Sequence, residues 1–125
     1  MTLTITTSEG TVTGTLKGRL DTAASQQFAT DMEALLENAD KHIVLDCKEL
    51  EFISSSGLRH FLSLRKATIS KGGDVTIVGV SDEIKQVFTI TGFYSLFKFA
   101  QTLLFGWIVG FWHPPFSPAR MLINI

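Results

Sequence analysis

Two short runs, HIVLDC at residues 42–47 and DVTIVGV at 74–80, limit most strongly what this chain can fold into. Each is rich in β-branched residues and almost wholly apolar over the length of a strand, the pattern expected of a strand covered on both faces. Between them, Leu58, Phe61, Leu62 and Arg65 mark a helix that runs to about Ser70, where Lys71-Gly72-Gly73 stops it. Strand, helix and strand with short links make up a crossover unit, which fixes neighbouring strands side by side in one sheet.

The remaining segments extend this alternation. Residues 2–7 (TLTITT) and 11–16 (TVTGTL) alternate apolar and hydroxyl side chains about a Ser8-Glu9-Gly10 turn, which reads as an antiparallel hairpin. Asp21 and Thr22 can cap a helix with apolar positions Phe28, Met32, Leu35 and Leu36, ending near Asn38. Ser81, followed by Asp82 and Glu83, opens a third helix through Ile84, Val87 and Phe88 that stops at Gly92, and Leu96 to Ala100 reads as a last short strand. The expected fold is therefore α/β: one domain, order β-β-α-β-α-β-α-β, a mixed sheet with helices packed on it, and an atypical apolar C-terminal tail.

Composition narrows the function classes. The 125 residues fit one domain with one core, and 45% apolar content, 18% charged content and a net charge of -1 describe ordinary globular material with no nucleic-acid partner indicated. The one cysteine, Cys47, cannot form an internal disulfide, and His42, His60 and His113 lack ligand spacing, so no metal site or cofactor is expected. Cys47 reads as a small buried hydrophobe and His60 as a boundary residue. MTLTITTSEG has neither the basic nor the apolar region of a signal peptide, and a reducing, cytoplasmic setting is the simplest expectation. No nucleophile-base-acid set or phosphate loop is visible, so no catalytic residue is assigned and enzymatic turnover is not expected.

FISSSGLRHF, residues 52–61, places three serines and a glycine between a strand and a helix. A helix start leaves backbone N–H groups without partners, and serine is among the best residues for accepting from them. Three serines exceed what one cap requires, and Gly57 leaves the first turn open to a phosphoryl group or a partner. Phosphate at such a place would carry about -1.5 to -2 charges against the positive end of the helix dipole, which the fold tolerates while a docked partner feels the change. Cap and switch therefore both stand as readings of the cluster.

The stretch LDCKELEFISSSGLRHFLSLRK, residues 45–66, together with GRLDTAAS (18–25) and VTIVGVSDEIKQVFTITGF (75–93), resembles the STAS domain of the anti-sigma factor antagonist family. The likeness spans most of residues 2–100 and implies a STAS domain over 1–100, with 101–125 as a separate apolar aromatic tail. It also implies a regulatory binding protein. Such a protein captures an anti-sigma factor that is itself a serine kinase, so that a sigma factor is released, until the kinase phosphorylates the serine before Ser/Thr-Gly-Leu. A metal-dependent serine phosphatase then reverses the block. The phosphoacceptor position corresponds to Ser55, and Ser56, Gly57 and Leu58 complete the motif.

Two residues depart from the pattern. Ser54 stands where the family has an aspartate, and Arg59 stands where it has a small residue, adding a cation suited to a phosphate or an acidic partner. Asp21 matches a carboxylate that shapes the partner surface in the family, and it also suits the capping of the first helix. The expected partner-binding set is Asp21, Ser54, Ser56, Gly57, Leu58 and Arg59. Asp46, at a strand end, is expected to order a loop over residues 47–54.

The tail departs most. LLFGWIVGFW, residues 103–112, is uncharged and ends at Pro114-Pro115, too short for the roughly 20 residues of a transmembrane span. Packing on its own domain or serving as a homodimer arm ranks first. Membrane-surface association and an out-of-frame origin rank below it. With Ser54 in place of the acid, the tail also motivates an alternative function, a non-phosphorylated STAS scaffold or an accessory subunit of a membrane transporter complex.

Overall fold

The computed structural model describes residues 1–100; residues 101–125, on which the expectations for the tail and its homodimer role fall, lie outside the described residues. Among the described residues, five strands form one sheet in sequence order: β1 (Thr2–Ser8), β2 (Thr11–Leu20), β3 (His42–Ile53), β4 (Asp74–Val78) and β5 (Lys98–Ala100). β1 and β2 pair antiparallel around Glu9-Gly10, both at positive φ, and every later pairing is parallel. Because the strand order never reverses, right-handed crossovers place all the connecting helices on the same face of the sheet.

Those helices are α1 (Thr22–Asp31), α2 (Glu33–Glu37), α3 (Ser55–Lys71) and α4 (Asp82–Ile90), followed by a single 3-10 turn at Tyr94–Leu96. The expected helix to Asn38 is thus two pieces. Met32 has ψ near 1° and serves as the last cap of α1 and the first of α2, so the chain turns while Phe28, Met32 and Leu35 all stay buried. Apolar spacing alone cannot reveal such a break. α3 ends as expected, with Gly72 in the left-handed region at φ 88°.

The core lies between the sheet and this helical layer. Val12, Leu16, Leu20, Ile43, Leu45, Ile77 and Phe99 of the sheet pack with Phe28, Leu58, Phe61, Leu64 and Phe88 of the helices. Aromatic rings run through it in sequence, Phe28 to Phe61, Phe61 to Phe88 and Phe88 to Phe99, with centroids 6.0, 6.1 and 5.2 Å apart.

The largest departure from the sequence reading is β3. The loop expected over 47–54 is strand up to Ile53, and the pairing with β2 slips by one residue twice, between Thr15 and Lys17 and between Gly18 and Arg19. Each slip accommodates an extra residue in β3, a bulge that twists and bends the strand. Beyond Asp46, β3 is paired with β2 alone, since β4 pairs only with His42–Asp46. The bulged end therefore projects from the sheet and delivers the chain to α3.

Candidate functional site

The serine cluster sits where β3 passes into α3, beside the point where β2 passes into α1. The Ser54 N–H donates to the Leu20 carbonyl at 2.9 Å, carrying the parallel ladder one step past β3 and setting residues 54 and 55 against residues 20 and 21. At each helix start one side chain is committed to capping. Asp21 accepts from the Ala24 N–H at 2.9 Å, and Ser54 accepts from the Gly57 N–H at 3.2 Å. Ser54 is thus the cap in place of the expected aspartate, and its hydroxyl also lies 3.0 Å from that of Ser56.

Ser55, the first residue of α3, is exposed, and its hydroxyl forms no hydrogen bond among the described residues. Arg59 is exposed one turn further along. Residues four apart share a helix face, so the guanidinium can reach an anion carried on Ser55.

Two members of the expected partner-binding set need correction. Leu58 is fully buried and belongs to the core, and Gly57 is buried too. A Cβ on Gly57 would sit 2.8 Å from Leu20 Cγ and 3.1 Å from Ile53 Cγ1, so the glycine lets α3 lie against the ends of β2 and β3 rather than opening the turn to solvent. Both act from beneath the surface. Asp21, Ser54 and Ser56 are half-buried and Arg59 is exposed.

Two neighbouring contacts were not anticipated from the sequence. Ser25 of α1, a buried polar residue, has its hydroxyl 2.9 Å from His60 Nε2 of α3, and the His60 ring meets Phe28 edge-on at 5.8 Å. This seam fixes the two helix starts relative to each other. Arg19 lies 4.5 Å above the ring of Phe52, its cross-strand partner, and leaves that ring partly exposed beside the cluster. The Arg19 to Phe52 register depends on both bulges, and the Ser25 to His60 contact joins residues 35 apart, so no local pattern signals either.

Asp46 does accept from a nearby backbone N–H, that of Lys48 at 3.1 Å, but the segment it orders is the bulged strand. Cys47 is buried, and burial, reinforced by the Asp46 carboxylate, pushes its thiol far above the usual range, which leaves it protonated and unreactive. Among the described residues, no three of His, Cys, Asp and Glu are gathered to hold a metal ion, and no helix is long and apolar enough to cross a membrane.

Among the described residues, a mixed α/β sheet with its helices on one face, presenting a serine free of hydrogen bonds at a helix start, defines the class. The particular family follows from comparison: the STAS domain model matches residues 2–104, and the chain belongs to that family. A Bordetella bronchiseptica protein named as a candidate anti-sigma factor antagonist, BtrV, is 29% identical over 82% of this chain and 88% of its own. The anti-sigma F factor antagonist of Paenibacillus polymyxa is 32% identical over 65% of this chain and 70% of its own. Among solved structures, an anti-sigma factor antagonist from Mycobacterium paratuberculosis superposes with a TM-score of 0.73 at 16% identity, covering 99% of this chain and 94% of the other. The Bacillus cell fate determinant SpoIIAA in its phosphorylated form gives 0.61 at 20% identity, over 80% of this chain and 92% of the other.

Proposed function

We propose that this protein is an anti-sigma factor antagonist that binds an anti-sigma factor with serine kinase activity, releases the sigma factor, and is switched off by phosphorylation of Ser55. The carrying observation is the division of labour at the start of α3. Ser54 holds the cap, which leaves the Ser55 hydroxyl exposed and without a hydrogen bond among the described residues. The names of the curated relatives support the antagonist role.

The partner surface in this reading comprises Asp21, Ser54, Ser55, Ser56 and Arg59, with Gly57 and Leu58 supporting it from below. A phosphoryl group on Ser55 meets the positive end of α3 and the Arg59 side chain, so the domain keeps its fold while the partner meets about two new negative charges. Removal of the phosphate by a metal-dependent serine phosphatase restores binding. The chain acts by binding and being modified, and catalyses nothing itself.

The test is incubation with the anti-sigma kinase and ATP, followed by peptide mass spectrometry. Phosphate is expected on Ser55 and lost in Ser55→Ala. Equal labelling of Ser55→Ala removes Ser55 from the mechanism, and tight binding with no labelling at all favours the scaffold reading, which Ser54 in place of the family aspartate motivates.

A further inference from the structure

β1 stands at one edge of the sheet, with β2 on one side and no strand among the described residues on the other. An edge strand presents a row of unpaired backbone N–H and C=O groups, and proteins commonly blunt such an edge with a charge, a proline or a bulge. β1 has none of these. Its seven residues, TLTITTS, are uncharged, and its register against β2 runs from Thr2 with Lys17 to Ser8 with Thr11 without a slip. The two-residue turn at Glu9-Gly10, both at positive φ, is of the kind that closes on its flanking residues, Ser8 and Thr11, as a hydrogen-bonded pair. Such pairs alternate along an antiparallel ladder, so Thr2, Thr4, Thr6 and Ser8 turn their backbone groups toward β2. Those of Leu3, Ile5 and Thr7 point out from the edge.

We propose that β1 pairs antiparallel with β1 of a second copy across a two-fold axis at Thr4, joining the two sheets edge to edge. Three observations select a second copy as the occupant. First, the backbone fits itself: with the axis at Thr4, Leu3 stands opposite the partner's Ile5 and Ile5 opposite the partner's Leu3, so the residues whose N–H and C=O groups point outward meet one another. Second, the side chains fit themselves. Leu3 and Ile5 lie on the helix-facing side, half-buried at the margin of the core, and each finishes its burial against the other's counterpart. On the opposite face the exposed Thr2 and Thr4 meet the partner's Thr6 and the partner's Thr4. Moving the axis to Ile5 leaves Leu3 facing the partner's Thr7, so the apolar pairs select one register. Third, no charge lies in β1, so self-pairing sets no like charges opposite each other, and an unrelated strand finds no charge to select it. The axis runs perpendicular to the sheet, which keeps both helical layers on one side. This interface uses neither Ser55 nor residues 101–125.

Sedimentation velocity of the full chain is expected to show dimer forming as concentration rises through the micromolar range. Thr4 is exposed and faces its own copy across the axis, a non-hydrogen-bonded pair with Cα atoms about 4.5 Å apart. Thr4→Glu sets two carboxylates against each other there and should weaken the dimer by about tenfold or more, while far-UV dichroism stays native. Should the added charge unfold the hairpin, Thr4→Cys supplies a second reading. Mild oxidation should link two copies through that position, since the separation suits a disulfide, whereas Thr2→Cys, which faces the partner's Thr6, should link several-fold more slowly. Cys47 is buried and does not compete. Wild type that stays monomeric at every concentration overturns the proposal and leaves the edge to a different chain. A dimer that a folded Thr4→Glu variant leaves intact overturns it too, assigning assembly to another surface such as residues 101–125, and so does equal linking of the Thr2→Cys and Thr4→Cys variants.

Discussion

Gly57 carries more structural weight than its place in a phosphoacceptor motif suggests. With Leu20 and Ile53 already within 2.8 and 3.1 Å of where its Cβ would stand, Gly57→Ala forces α3 away from the strand ends. Overpacking of this kind costs about 1–3 kcal/mol, and chemical denaturation of the variant should show a loss in that range although alanine is the better helix former. Cys47 makes a second residue-scale prediction, and its sign follows from the raised thiol. In the unfolded chain the thiol ionises near its ordinary 9.0, whereas in the fold it stays protonated. Above that pH the unfolded state binds fewer protons than the native one. Stability is therefore unaffected by this group at neutral pH and falls as pH rises past 9.0, by up to about 1.4 kcal/mol per unit. Denaturation at several pH values between neutrality and mild alkali should show a shallower decline in Cys47→Ala than in wild type, and equal slopes would refute the assignment.

Among the elements, α3 is capped by Ser54, where the resemblance led one to expect an aspartate, and the serine makes the capping hydrogen bond. Ser54→Ala removes the acceptor for the Gly57 N–H and should destabilise the protein by about 1 kcal/mol. Ser54→Asp, which restores the family residue, should keep the cap and match or exceed wild-type stability, because a carboxylate also suits the positive helix end. Thermal melts of the two variants separate these outcomes. The elements also show where sequence reasoning reaches its limit. The hairpin, α3, β4 and α4 were legible because their apolar spacing matches one period throughout and their ends carry Gly10, Gly72 or Ser81. The far half of β3 was not. There Cys47, Leu50 and Ile53 are the buried residues, every third instead of every second, because two bulges each insert a residue before the next inward position. Lys48, Glu49 and Glu51 then read as loop chemistry although they belong to a strand. For the same reason Ser54 and Ser55 were recognised at a helix start, while the Arg19 and Phe52 pair beside them was not.

At the scale of the whole molecule, the site and the core meet at the start of α3 without sharing exposed atoms. Gly57 and Leu58 face inward, whereas Ser55 and Arg59 face solvent one turn apart on the same helix. Recognition by motif treats this run as one unit, and only the burial pattern separates the residues that hold the helix from those a partner can touch. The separation makes the proposed switch testable as a difference between two measurements. A charge placed on Ser55 meets the positive end of α3, worth about 0.3–1 kcal/mol in favour of the fold, so Ser55→Glu should melt at or slightly above the wild-type temperature. The same variant should lose affinity for the anti-sigma factor in calorimetric titration, while Ser55→Ala, which removes only an exposed hydroxyl, should bind and melt as wild type. A Ser55→Glu variant that fails to bind because it has unfolded would place Ser55 in the structural half of the motif. One that is stable and still binds would show that charge at this position is not what the partner reads.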